Sequence, residues 1–234
     1  MTQQLIKITS SPDLVDQVYR SLLDAISDGT ISPGARILQE DLAEQLAVSR
    51  QPVLQALRLL KKDGFVLDAP GRGVLVAPLE PDWLVQVYQV RSALDALAAR
   101  LAASAHFQVD PKLINQGRVA ARSNKIKAMM AADVQFHAAI YAASGNPLIA
   151  QSAQLLWHHI RRAMGAALQL STMRESIWDE HEAIAAAISD GDEDRAESLI
   201  RQHGENACHN LVLLLSTALD ESGLSTLRIS ASSP

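Results

Sequence analysis

Several things are scarce in this 234-residue chain, and each scarcity excludes something. There is one cysteine, Cys208, so no internal disulfide can form and the sequence suits a reducing compartment. Aromatic residues make up 4% of the chain while hydrophobic residues make up 48%, a balance that favours Leu/Ala-rich helices over sheets. The length allows two domains and a substantial core. No stretch approaches the ~18 apolar residues of a membrane span, and MTQQLIKITS lacks the apolar run of a signal peptide, so the expected location is the cytoplasm with no membrane partner. No internal repeat is visible. The formal charge of -5 also lacks the basic excess of an indiscriminate nucleic-acid binder, and residues 1–78 carry eight Lys/Arg against nine Asp/Glu. One local absence matters more than these averages. No acid lies between Ser49 and Lys62, a stretch that holds Arg50, Arg58, Lys61 and Lys62.

That stretch belongs to DLAEQLAVSRQPVLQALRLL (Asp41 to Leu60), which reads as two short amphipathic helices joined by a tight turn. Leu42 and Leu46 face inward on the first helix, and Ala47-Val48 make the turn. Ser49 is placed to cap the second helix with its hydroxyl. Pro52 falls in the first helical turn, where a missing N–H costs nothing. Val53, Ala56, Leu57 and Leu60 follow at i, i+3, i+4 and i+7 as a buried stripe. The opposite face presents Arg50, Gln51, Leu54, Gln55, Arg58 and Lys61, long donors suited to the major groove of duplex DNA, with the helix N-terminus favouring phosphate.

A further helix opens at Ser11-Pro12, carries Leu14, Val18, Leu22 and Ile26 inward, and ends at Gly29. After Gly64 come Phe65-Val66-Leu67, the turn Pro70-Gly71-Arg72-Gly73, and Val74-Leu75-Val76, read as strand, tight loop and strand. Residues 11–78 are thus expected to form a winged helix-turn-helix with Arg72 at the wing tip. The flanking glycines would let the loop turn sharply and approach a sugar-phosphate backbone. Residues 79–81 read as a linker. Residues 82–216 read as an antiparallel all-α bundle of six helices: Asp82 to Ala105, Pro111 to Ser123, Lys125 to Ala143, Pro147 to Gln169, Ile177 to Ser189 and Glu193 to Ser216. Asp110-Pro111, Gly145-Asn146-Pro147 and Gly191-Asp192 punctuate them. Residues 1–10 and 217–234 are polar and expected to be disordered. The fold class is therefore mostly α.

The bundle carries polar residues on faces that should be apolar. The third bundle helix has the inward stripe Ile126, Met130, Asp133, His137, Ile140, Ser144, which places a carboxylate and an imidazole one turn apart in the core. Burying both unpaired would be expensive. His181 shares a stripe with Ile177, Ile184 and Ile188, and His203 with Ala196, Leu199, Ile200 and Ala207. Asp133, His137, His181 and His203 could converge as an N3O ligand set for a divalent Zn, Ni, Mn or Fe ion. Periodicity leaves an alternative open, in which each histidine is neutral and separately hydrogen-bonded in the core. A metalloenzyme using this set, with Glu180 or Glu182 as base, and a bundle whose ion is purely structural are the rival functional readings. No HExxH motif supports the first. Arg91 also lies on an apolar stripe, between Val87 and Leu94, suited either to bidentate capture of a carboxylate or to an i, i+4 pair with Asp95. Arg162 is a weaker candidate of the same kind, on a side reading Leu148, Ser152, Leu155, His159, Arg162. His159 could join an effector pocket or cap a surface.

Both halves together resemble the GntR family of bacterial transcription regulators, in particular the FadR group with an FCD effector-binding domain. The resemblance rests on GTISPGARI (Gly29 to Ile37), LAEQLAVSRQPVLQALRLLKKDG (Leu42 to Gly64) and PGRGVLV (Pro70 to Val76) in the first half. In the second half it rests on VRSALDALAARLAA (Val90 to Ala103), DVQFHAAIYAASGNPL (Asp133 to Leu148), EHEAIAAAISDGD (Glu180 to Asp192) and His203. It implies a homodimer on a palindromic operator, not an enzyme. A metal would be held by Asp133, His137, His181 and His203, and a small carboxylate effector beside it with Arg91. Six bundle helices rather than seven resemble the VanR-like variant. Arg36, Ser49, Arg50, Gln51, Leu54, Arg58 and Arg72 are the expected DNA-contacting residues. One departure stands out: relatives usually read Thr-Pro-Val-Arg-Glu-Ala-Leu where this chain has Gln51-Pro52-Val53-Leu54-Gln55-Ala56-Leu57. Leu54 thus replaces an expected operator-contacting Arg, and either packs on a thymine methyl or leaves that base unread.

Overall fold

The computed structural model describes residues 14–123, 125–167 and 176–221. The start of the first helix at Ser11-Pro12, the end of the fourth bundle helix at Gln169, and the expected disorder of residues 1–10 and 222–234 lie outside them. Two compact units emerge, one of residues up to 78 without 27–29, the other of residues 27–29 and those from Leu79 onward.

In the first unit α1 (Leu14–Ser27), α2 (Gln39–Gln45) and α3 (Arg50–Lys62) surround a three-stranded antiparallel sheet, with strand order β1 (Arg36–Ile37), β3 (Val74–Val76), β2 (Val66–Asp68). The inward stripe of α3 is as the spacing predicts: Val53, Ala56, Leu57 and Leu60 are buried, together with Val18, Leu22 and Ile26 from α1, whereas Leu14, expected inward, is exposed at the start of that helix. Strand β1 has no sequence signature, because two residues cannot display alternation. Its pairing, Arg36 with Leu75 and Ile37 with Val74, completes the wing.

Three local expectations need correction. Ser49 occupies the N-cap position of α3 in extended conformation, but its hydroxyl makes no capping hydrogen bond. Leu46 is only half-buried, and Ala43 takes the inward place beside Leu42. The turn itself falls at Ala47-Val48 as expected, with Ala47 in the left-handed region (φ 52°). Leu54, placed by periodicity on the exposed face of α3, is half-buried.

The second unit comprises α4 (Pro81–Ser104), α5 (Pro111–Arg122), α6 (Ile126–Ala143), α7 (Pro147–Ala167), α8 (Ser176–Asp190) and α9 (Glu193–Glu221). Their starts follow from local chemistry. Pro81 and Pro111 sit in the first turns of α4 and α5, where no amide hydrogen is needed. Asp110 caps α5 by accepting from the Lys112 amide at 2.9 Å. Asn146 accepts from the Leu148 amide at 3.1 Å, and Asp192 from the Arg195 amide at 3.1 Å. The last helix runs past the expected Ser216 to Glu221, because no glycine or proline interrupts it there. The core joins all six helices through Ala96, Ala99, Ile114, Phe136, Ile140, Ile160, Trp178, Ile184, Ile188 and Ile200. Small residues allow the closest approaches. A side chain on Gly117 would overlap the Trp178 ring, and one on Gly204 of α9 would come within 2.7 Å of the Ser92 hydroxyl on α4.

Along α7 the expected stripe is wrong in its first half. Leu148 and Ser152 are exposed and Leu155 is half-buried, while Ile149, Ala153, Trp157 and Ile160 face the core. Small and polar residues make two faces of that turn nearly equal in hydrophobicity, and bulk decides in favour of Trp157. Among the described residues, no helix is long and apolar enough to cross a membrane.

Candidate functional site

Helix α6 supplies Asp133 and His137 one turn apart, α8 supplies His181, and α9 supplies His203. One ligand atom from each lies within 4.8 Å of the other three. His181 Nε2 is 3.3 Å from both His203 Nε2 and Asp133 Oδ1. Two atoms bonded to one ion at about 2.1 Å and at the tetrahedral angle lie about 3.4 Å apart, so these separations match the edges of a coordination sphere. The three imidazoles are buried. Burial, followed by the charge of Arg91 and the neighbouring imidazoles, holds His137 well below the usual histidine range. Burial, then His203 and Arg91, does the same for His181. Both rings are therefore neutral, the form that ligates metal. Burial raises the Asp133 carboxyl, opposed by the charge of Arg91.

The alternative of separate hydrogen bonds in the core fails for His137 and is half met by His181, whose Nε2 contacts His203. Neither nitrogen of His137 has a hydrogen-bond partner, and neither does Nδ1 of His181. Buried imidazole nitrogens left in this state cost about 1–3 kcal/mol each. A cation held by Asp133, His137, His181 and His203 would engage a lone pair on each ring, so the donor set fits such an ion.

Beside the cluster, a second group is centred on α4. Arg91 and Asp95 are both buried, with Arg91 Nε 3.1 Å from Asp95 Oδ2. This contact is an ion pair without hydrogen-bond alignment, and Arg91 Nη2 has no partner. The i, i+4 pairing is thus formed, yet it leaves one edge of the guanidinium with unused donors. Burial opposes the Arg91 charge, but Asp95 and then Tyr141, Tyr88 and Asp133 outweigh it, and the guanidinium is held above its ordinary value. The Trp157 ring covers it, with the centroid 3.9 Å from Cζ. Asp95 also accepts from the Tyr141 hydroxyl, which itself accepts from Trp157 Nε1 at 3.3 Å. His137 Nδ1 lies 3.7 Å from Asp95 Oδ2, which links this group to the cluster.

His159 and Arg162 are buried on α7. The His159 ring meets Trp83 edge to face at 5.8 Å, near the start of α4 and about two turns from Arg91. Burial pushes the Arg162 guanidinium down to about 10. Their place at the site stays an expectation. Glu180 departs from the sequence reading, which offered it as a catalytic base. Its carboxylate pairs with His203 Nδ1 at 2.7 Å and accepts from Asn206 Nδ2 at 3.0 Å. Burial favours its protonation, but these hydrogen bonds outweigh burial and keep it below the usual glutamate range. Glu182 is exposed and takes one side of Arg118 at 2.6 Å, with Asp179 on the other at 2.7 Å. Asp95, Tyr141, Trp157 and Asn206 were not found from the sequence as site residues. Only Asp95 had a signal, its i, i+4 spacing from Arg91.

In the first unit, α3 exposes Arg50, Gln51, Gln55, Arg58, Lys61 and Lys62 along one side. Arg50, exposed, lies 3.6 Å from the half-buried Glu40. Arg72 is exposed at the wing. Arg36 is already engaged within the unit, because its guanidinium donates to the carbonyls of Arg72 at 2.9 Å and Pro70 at 3.0 Å and so braces the wing. Gly73 (φ 83°) permits a close approach, but to protein: a Cβ there would lie 2.3 Å from the Ile37 carbonyl oxygen.

A winged helix-turn-helix with a basic reading helix, followed by a helical bundle holding an Asp/His3 cluster, defines a class of one-chain DNA-binding regulators. Residues 14–76 match the family model "Bacterial regulatory proteins, gntR family", and residues 86–206 match the FCD domain. The chain belongs to the gntR family of transcriptional regulators, with an FCD domain, and is not an enzyme. It is similar to an uncharacterized HTH-type transcriptional regulator from the TAR-I ttuE-ttuC' intergenic region of Agrobacterium vitis, 30% identical over 58% of this chain and 84% of that protein. It is also similar to the Nta operon transcriptional regulator of Aminobacter aminovorans, 26% identical over 81% of this chain and 90% of that protein. The fold matches the solved structure of E. coli McbR/YncC with TM-score 0.72 and 21% identity, covering 90% of this chain and 99% of that one. A putative GntR regulator from Rhodococcus sp. RHA1 matches with TM-score 0.70 and 22% identity, covering 85% and 97%.

Proposed function

We propose that this regulator binds a palindromic operator as a homodimer, and that a small organic acid held beside a divalent metal ion in the bundle sets its operator affinity. The observation that carries this reading is the convergence of Asp133, His137, His181 and His203 next to a buried Arg91 whose Nη2 has no partner. The ion would supply a Lewis-acidic anchor for an anionic guest, and Arg91 would bind the guest's carboxylate through its unused edge. Zn, Ni, Mn and Fe all suit an N3O donor set. The guest's negative charge would offset a neighbouring cation and a buried guanidinium, which favours acids over neutral molecules.

On the DNA side, Arg50, Gln51, Arg58 and Arg72 are exposed for bases and phosphates, with Ser49 at the start of the reading helix and Leu54 partly withdrawn beside them. Support for a dimer comes from α4. Trp83, Val90 and Leu97 are all exposed at 49%, 55% and 44% and stand seven residues apart, while the exposed positions between them, Gln86, Gln89 and Ala93, carry no charge. A two-fold axis at Val90 would set Val90 against its own copy and Trp83 against Leu97, a self-complementary stripe.

The test measures operator affinity of metal-loaded and chelated protein against a panel of small mono- and dicarboxylic acids. An effective acid must change operator affinity, and operator must change acid affinity by the same factor. An acid that saturates the bundle without altering operator binding removes the switching claim. Chelation that lowers thermal stability while leaving the acid response intact assigns the ion a structural part only.

A further inference from the structure

Resting on the metal reading above, we propose that Glu180 is a positioning residue for this centre: its carboxylate, steadied by Asn206, fixes the proton of His203 on Nδ1 and turns the Nε2 lone pair toward the cluster. The geometry is direct. Glu180 Oε2 lies 2.7 Å from His203 Nδ1, and its other oxygen accepts from Asn206 at 3.0 Å, so both ends of the carboxylate are engaged. An ionised carboxylate can only accept, so Nδ1 must donate, and a neutral ring then keeps its lone pair on Nε2. That atom faces His181 Nε2 at 3.3 Å, the separation of two ligands on one ion.

What makes this specific is the contrast with the other two rings. Neither nitrogen of His137 has a hydrogen-bond partner, and Nδ1 of His181 has none. The nearest carboxylate oxygen to His137 Nδ1, on Asp95, is 3.7 Å away, beyond hydrogen-bond range. His203 is thus the one imidazole of the three with its outer nitrogen held. The bland reading of Glu180 is a surface acid with an ordinary ion-pair partner. Its neighbours Asp179 and Glu182 play that part, both bound to Arg118, while Glu180 points between α8 and α9. Because Glu180 adjoins His181 in sequence and Asn206 follows His203 by three residues, one carboxylate ties together the two helices that carry these ligands.

The experiment uses the full chain and Zn²⁺ alone as probe. Zn²⁺ affinity is measured by competition with a chromophoric chelator, and the His203 tautomer by long-range ¹H–¹⁵N correlation in the metal-free protein. Loss of an outer-shell partner to a ligating imidazole costs 10–100-fold in metal affinity. Glu180→Ala should weaken Zn²⁺ binding by about that factor and move the His203 proton from Nδ1 to Nε2, the tautomer that cannot ligate through Nε2. Glu180→Gln keeps the shape and an acceptor oxygen, and should fall between the two. Glu182→Ala should match the wild type. If Glu180→Ala fails to fold, Glu180→Gln carries the comparison. Wild-type affinity in both variants with His203 still protonated on Nδ1 overturns the proposal. If the wild type takes up no Zn²⁺, the metal reading itself fails, and the wild-type tautomer still decides the positioning claim: a proton on Nε2 refutes it.

Discussion

Removing the Asp95 carboxylate should be among the most damaging single changes in the bundle. Asp95 and Arg91 are 1% and 3% exposed, so the variant Asp95→Ala leaves a guanidinium without its counter-charge in a site closed to water. The Tyr141 hydroxyl loses its acceptor at the same time. Breaking a buried ion pair by deleting one partner costs about 3–5 kcal/mol. At about 2–4 °C per kcal/mol for a chain of this size, the melting temperature should fall by roughly 6–20 °C. The readout can be confined to the bundle, because Trp83, Trp157 and Trp178 are the only tryptophans and all belong to it. Urea unfolding followed by tryptophan emission therefore reports this unit alone, and Trp157 stacks on Arg91 itself. Asp95→Asn keeps the volume and an acceptor for Tyr141, and should lose less. If Arg91 donates to an effector carboxylate, tens of millimolar acetate should stabilise both proteins, and Asp95→Ala more than the wild type because its guanidinium has lost the Asp95 counter-charge. A loss below about 1 kcal/mol for Asp95→Ala would refute the buried-pair reasoning.

Four further outcomes follow from other parts of the molecule. Gly73→Ala forces an L residue into a left-handed conformation and pushes a methyl group onto the Ile37 carbonyl, so the wing should lose at least about 1–2 kcal/mol and operator affinity should drop, measured by urea unfolding and by gel shift. Leu54→Arg should tighten binding to a typical family operator by ~1–3 kcal/mol if the base opposite is guanine, read by fluorescence anisotropy, and an unchanged affinity and preference dispose of the idea. If α4 forms the proposed dimer, Val90→Glu should give monomer in analytical ultracentrifugation where the wild type sediments as a dimer, whereas Val119→Glu, at an exposed residue of α5, should match the wild type. In metal-free protein, His137 and His181 have folded values below the unfolded one, so the stability they confer is complete above about pH 6.5 and is lost as pH falls toward their folded values. Each contributes a slope of up to about 1.4 kcal/mol per pH unit over that window, and the double variant His137→Gln/His181→Gln should flatten the curve by up to about twice that amount.

Sequence periodicity located the helices of the bundle because their ends are marked by strong local chemistry, Asp110-Pro111, Asn146-Pro147 and Gly191-Asp192, and because their cores repeat at helical spacing. It also identified Asp133, His137, His181 and His203 as inward-facing, since a polar residue on an apolar stripe is conspicuous. It could not supply what depends on contacts between distant segments. Strand β1 exists only because β3 pairs with it. Glu180 is a plain acid in sequence, and its part depends on where α9 brings His203. The α7 stripe was misplaced because alanine, serine and glutamine on adjacent faces leave periodicity undecided. Ser49 shows the limit of local rules: the residue type and backbone of a cap are both present without the capping bond.

Gly204 adjoins His203 on α9 and faces the Ser92 hydroxyl, one residue after Arg91 on α4. A single methyl group added there would require the serine to rotate away or the two helices to part. Gly204 therefore lets α9 lie close against α4 beside His203 and Arg91 with the Ser92 hydroxyl undisturbed. Relatives with alanine or serine at that position need a different Ser92 rotamer or a wider spacing of α4 and α9, with every side chain of the cluster unchanged.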